Sequence, residues 1–168
     1  MNKKQRISIL VENETGKNMI QVDVLARIIA FFSLRNFEIE SISVVPDIEK
    51  NFYKIEIVIH VDDQGMDLIK KQLRKLIQVL DIQTLNFWGE PNIERELVLI
   101  KIKAPDSIRK QILETSIRLG GRIIRKHPDF IILEIIGQSQ DINMAIKMLG
   151  CYEILDMTRT GAVALRDC

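Results

Sequence analysis

Ile7, Ile9 and Val11 alternate with Ser8, Leu10 and Glu12, and a period of two predicts a strand. Asn13-Glu14-Thr15-Gly16 follows as a cluster of turn formers. Leu25, Ile28, Ile29 and Phe32 then recur at helical spacing, with Arg27 and Arg35 among the intervening residues. Asn36 suits the end of that helix, because asparagine tolerates the left-handed conformation better than most residues. Ile39 to Val45 is β-rich and stops at Pro46-Asp47. Tyr53, Ile55, Ile57, Ile59 and Val61 make the cleanest alternation in the chain, opposite Lys54, Glu56, Val58 and His60, so the register of that strand is well specified. After Asp62-Asp63-Gln64-Gly65, the positions Met66, Ile69, Leu73, Leu76, Ile77 and Leu80 predict an amphipathic helix wetted by Lys70, Lys71, Arg74 and Lys75. Ile82 to Trp88 reads as the next strand.

Gly89-Glu90-Pro91-Asn92 is a short linker, after which the same order repeats. Leu97 to Lys103 is a strand, and Ile108, Ile112, Thr115 and Leu119 trace a helix closed by Gly120-Gly121. Arg122 to Arg125 and Phe130 to Ile136 are strands about the turn His127-Pro128-Asp129. Ile142, Ala145, Ile146 and Leu149 mark a helix, Glu153 to Thr158 a last strand, and Val163 and Leu165 a short tail. Strand, helix, strand, strand, helix, strand is thus written twice. The predicted class is α+β, two consecutive ferredoxin-like βαββαβ units, with domains at 1–90 and 94–168. Each sheet should carry both helices on one face. The other face is left to find cover, which argues for dimerisation or a partner.

Composition narrows the function. With 24 basic and 23 acidic side chains, the chain has no long-range field to draw in nucleic acid or an anionic membrane. Cys151 and Cys168 make no disulfide framework or zinc motif and suit a reducing compartment. No apolar run approaches the roughly 20 residues that span a bilayer. Met-Asn-Lys-Lys-Gln-Arg runs straight into a strand without a signal-peptide core, so the expected place is a bacterial cytoplasm or a plastid stroma.

Nothing assembles into a catalytic set or a metal site. There is no Gly-rich phosphate loop, no Gly-x-Ser-x-Gly elbow and no His-Glu-x-x-His. Asp62-Asp63 and Asp47/Glu49 are carboxylate pairs in turns, where such residues are usually solvated. His60 and His127 lie far apart, with His60 on the polar side of its strand. Arg118, Arg122, Arg125, Lys126 and His127 form the densest basic stretch. The aromatic pattern by which ferredoxin-like sheets bind RNA is missing, so no nucleic-acid partner is expected.

Several segments resemble the small, regulatory subunit of acetolactate synthase (acetohydroxyacid synthase). They are residues 7–16, Leu25 to Arg35 followed by Phe37, Ile39, Glu40, Ser41 and Ile42, Lys71 to Leu76 with Val79 and Leu80, Ile93 to Ile102, and Arg159-Thr160-Gly161. The resemblance implies that the first unit is an ACT domain, serving amino-acid sensing and dimerisation. It also implies a catalytic (large) subunit as partner, which holds thiamine diphosphate, magnesium and FAD, this chain carrying no cofactor. The small subunit of that family raises the partner's activity and makes it sensitive to valine.

A turn of backbone N–H groups leading into a helix N-terminus suits an amino acid's carboxylate. Asn13 to Gly16 supplies such a turn, and Gly16 lets backbone approach a ligand without a Cβ clash. By pattern alone the segment also serves as a plain strand-to-helix turn. In the family, the residues matching Asn13 and Gly16 contact valine, and the position matching Glu38 contributes from the neighbouring protomer. This sequence departs twice: residues 17–24 intervene before the helix, and Glu38 stands where the family commonly has Asn. The alternative reading is a stand-alone ACT-type regulator of another enzyme or of gene expression.

Overall fold

The computed structural model describes residues 2–13, 22–47, 51–85 and 92–166. Two compact units divide the chain: Met1–Asn92 together with Arg166–Cys168, and Ile93–Leu165. The architecture is α+β, with two mainly antiparallel sheets and four helices among the described residues.

In the first unit β1 (Lys3–Glu12), α1 (Val22–Leu34), β2 (Ile39–Pro46), β3 (Phe52–Val61), α2 (Asp63–Leu73) and β4 (Val79–Leu85) follow in order. The sheet runs β2-β3-β1-β4. Every pairing is antiparallel, the crossover pattern of a split βαβ. Register follows from the alternation read in the sequence. Ile7 lies opposite Ile57, Ile9 opposite Ile55 and Val11 opposite Tyr53, so one face of the two central strands is continuously apolar. Both helices close on that face. Val24, Ile28 and Phe32 of α1 are buried at i, i+4 and i+8, and Met66, Ile69 and Leu73 of α2 at i, i+3 and i+7. α1 ends as Asn36 predicted, with φ 54° and bonds from Asn36 N to Ser33 O (3.1 Å) and Phe37 N to Phe32 O (3.0 Å). This is a Schellman-type stop whose Phe37 packs back on Phe31 and Phe32.

The second unit repeats the order with β5 (Asn92–Lys103), α3 (Asp106–Arg118), β6 (Arg122–Lys126), β7 (Phe130–Gly137), α4 (Ser139–Leu149), β8 (Ile154–Arg159) and β9 (Val163–Arg166). Its strand order is β6-β7-β5-β8, with β9 also on β5. Val98, Ile100 and Ile102 face Ile135, Leu133 and Ile131. Ile112, Ile142, Ala145 and Leu149 from the helices complete that core.

Four local expectations change. The helix expected to reach Leu80 stops at Leu73; Ile77 is 87% exposed and Leu80 lies in β4. Apolar spacing continues past the helix end, but the chain turns there so that Val79 can pair with Val11. Tertiary strand pairing overrides the helical pattern. The tail with Val163 and Leu165 is a strand rather than a loose end. Glu56 and Val58, read as the wet side of β3, are buried at 8% and 1% exposure, as are Arg6 and Ser8 on the neighbouring strand. Much of the sheet face away from the helices is therefore already screened from water. Of the inserted stretch, Val22 to Val24 form the first turn of α1 and Val24 joins the core; residues 17–21 lie outside the described residues, as do 89–91 of the linker.

Candidate functional site

Asn13 terminates β1. Its N–H donates to Asn51 O at 2.6 Å, one step beyond the last ladder pair, Glu12 with Phe52. The residue is buried. Gly16 lies outside the described residues. Glu38 is exposed and follows the Phe37 stop of α1. Just beyond it, Glu40 takes Lys4 Nζ at 2.7 Å and His60 Nε2 at 2.9 Å. Burial opposes ionisation of Glu40, but hydrogen bonds from Lys4 and His60 outweigh it and hold the carboxyl below its ordinary range.

These contacts fix the two ends of the sheet. Ile39 pairs with Ile59, which pairs with Gln5. From Gln5 to Asn13 β1 rises roughly 26 Å at about 3.3 Å per residue. Within one chain, then, Asn13 and Glu38 sit at opposite ends of the sheet and are not brought together.

The Asn13 end contains a residue that sequence reasoning counted only as core. Tyr53, opposite Val11, is 1% exposed and packs in the cluster with Val11, Val24 and Ile28. Its hydroxyl is buried and has no hydrogen-bond partner among the described residues. Burial, and then the negative charge of Asp23 in the first turn of α1, push this phenol up to about 12. The signal was present in the sequence, since Tyr53 is the one core position of β3 with a polar tip.

Two segments that carried the family resemblance meet in the second unit. Arg159 grips Glu96 with two bonds, Nε to Oε1 at 2.7 Å and Nη2 to Oε2 at 2.9 Å, and Glu96 is buried. Thr160 N donates to Leu97 O at 3.1 Å, Leu97 N donates to Thr160 Oγ1 at 3.1 Å, and Gly161 takes φ 77°. Glu94 Oε1 accepts from Ser139 N at the start of α4 (3.0 Å). Arg159-Thr160-Gly161 is thus a joint between β8 and β5, and glycine is the residue that enters its left-handed turn freely.

Two members of the basic stretch are engaged locally. Arg122 pairs with Glu134 at 3.0 Å, and His127 stacks on Phe130 at 4.4 Å, with Lys101 also 4.2 Å from that ring. Arg109 donates to the carbonyls of His127 and Pro128. Among the described residues no three His, Cys, Asp or Glu gather as a metal site, and no helix is long and apolar enough to cross a membrane.

The first unit has the fold of an ACT domain, and residues 7–81 match the family described as "AHAS small subunit-like ACT domain". Residues 95–167 match "Small subunit of acetolactate synthase". The chain is 33% identical over 162 residues to a probable acetolactate synthase small subunit of Archaeoglobus fulgidus, covering 96% of both chains. It is 34% identical over 165 residues to the acetolactate synthase small subunit of Aquifex aeolicus, covering 98% of this chain and 81% of that one. The crystal structure of the acetolactate synthase small subunit from Thermotoga maritima superposes with a TM-score of 0.86 at 27% identity, covering 99% of this chain and 98% of that one. The chain belongs to the acetolactate synthase small-subunit family, as a regulatory subunit with an ACT domain.

Proposed function

We propose that this chain binds an acetolactate synthase catalytic (large) subunit, raises its activity and makes it sensitive to feedback inhibition by valine in branched-chain amino acid biosynthesis. Thiamine diphosphate, magnesium and FAD belong to the catalytic subunit in this reading, and the chain itself performs no chemistry. The observation that carries it is family membership across both halves of the chain.

The effector site is assigned to Asn13, Gly16 and Glu38, with Glu38 supplied by a second copy. Two observations support that division. Glu38 is out of reach of Asn13 in its own chain, and β2 is an edge strand with Ile42 and Val45 exposed. Antiparallel pairing of two β2 edges sets the Ile39 end of one copy against the Pro46 end of the other. Pro46 lies opposite Tyr53, and Tyr53 opposite Val11, so Glu38 of one copy arrives at the Asn13 end of its neighbour. A homodimer with an amino acid at each junction follows. Effector binding shifts the dimer between two arrangements by its difference in affinity for them, and the catalytic subunit responds to the arrangement.

Mixing the chain with its catalytic subunit is expected to raise acetolactate formation, and added valine to lower the gain. A catalytic subunit indifferent to saturating small subunit overturns the reading. Unchanged activity with valine overturns its inhibitory half alone.

A further inference from the structure

We propose that the outer edge of β6, with the cations along it, docks an extended acidic segment of the catalytic subunit. This rests on the reading that such a subunit is the partner, and it names one surface that meets it.

The 24 basic and 23 acidic side chains of the chain nearly cancel, yet five cationic or ionisable groups crowd into residues 118–127. Arg122 pairs with Glu134, and His127 stacks on Phe130. Arg118, Arg125 and Lys126 are exposed and have no partner among the described residues. Nearby carboxylates are already taken: Glu134 by Arg122, and Glu153, just before β8, by Lys103. α3 ends at Arg118 and passes through Gly120-Gly121 into β6. The three unpaired cations therefore follow a single strand from its approach to its end. Arg125 shares a rung with Ile132 and Lys101, which carries the positive charge inward across the sheet.

β6 ends the strand order β6-β7-β5-β8 and pairs only with β7 among the described residues. Its far side presents backbone N–H and C=O groups that an incoming strand can use. Ile124, at the register shift between Ile123 and Arg125, is 48% exposed and offers an apolar contact midway. Cations along an edge repel a basic strand and favour one bearing Asp or Glu opposite them, so the charges select among extended chains. A peptide fits this edge better than a phosphate backbone does. The edge alternates donors and acceptors, whereas phosphates only accept.

The test titrates the full chain into the catalytic subunit of the same organism and follows association rates. Binding by the parent is expected to weaken as salt rises from about 0.05 M to about 0.3 M, because exposed charges are screened. Arg125→Glu combined with Lys126→Glu should weaken it about tenfold or more, mainly through slower association. Arg74→Glu combined with Lys75→Glu makes the same change of charge at exposed positions of the first unit and should leave binding near the parent value. Hydrogen exchange on the unsubstituted complex needs no variant, and the amides of residues 122–126 should exchange more slowly there than in the free chain.

Parental affinity in the Arg125/Lys126 pair overturns the inference and leaves the proposed function standing. So does equal weakening by the two charge-reversed pairs, which would reduce the effect to net charge. Unchanged exchange at residues 122–126 in a complex that forms overturns docking at this edge. Poly(A) RNA binding that the Arg125/Lys126 reversal abolishes would assign the edge to nucleic acid and overturn the choice of a peptide. A parent chain that does not bind the catalytic subunit overturns the proposed function as well.

Discussion

The contact between Glu96 and Arg159 shows what single residues contribute. Glu96 is 3% exposed at its side chain and Arg159 is 32% exposed, so the carboxylate depends on the guanidinium for its compensation. Removing one member of a buried pair costs about 3–5 kcal/mol, because the other charge is left buried alone; partial exposure of the arginine lowers that figure. Arg159→Gln is expected to cost about 2 kcal/mol, read from the urea midpoint. Pairing it with Glu96→Gln should recover part of the loss. The ion pair was invisible in the sequence, where the two residues stand 63 positions apart. Asn36 was legible, because its left-handed tolerance is a property of the residue alone. Tyr53 was half legible: its burial followed from the alternation of β3, while its unsatisfied hydroxyl depends on every neighbour the fold brings near.

At the scale of elements, alternation and helical spacing located most strands and all four helices, since those periods are imposed by backbone geometry. Ends were read less well. The stop of α2 at Leu73 is set by the need for Val79 to join β1, which no local pattern encodes. Its start is encoded locally: Asp62 caps the helix, accepting from Gly65 N at 2.8 Å. Asp62→Ala is expected to lower stability by about 1 kcal/mol, as a shift of the urea midpoint at unchanged slope. β9 was missed as a strand because four residues carry too little periodicity, and its partner β5 supplies the hydrogen bonds that define it.

For the molecule as a whole, β2 ends the strand order of the first sheet among the described residues and carries exposed Ile42 and Val45. Exposed apolar edge strands invite pairing with another chain, and lysines on such strands oppose it. The parent chain is expected to sediment with the mass of two chains, and Ile42→Lys combined with Val45→Lys with the mass of one. On the first sheet's face away from the helices, Arg6, Ser8, Glu56 and Val58 are buried. In the second unit Ile136 and Leu165 stay exposed at 57% and 67%. Alternation, turn residues and the order of elements determined the doubled βαββαβ class from the sequence by itself, because each is a short-range property of the chain. Which end of the sheet Asn13 and Glu38 occupy, which strands are left as edges, and which polar groups are buried were decided only by the tertiary structure. Those depend on strand register and on contacts between residues far apart in sequence, whose energies no local window contains.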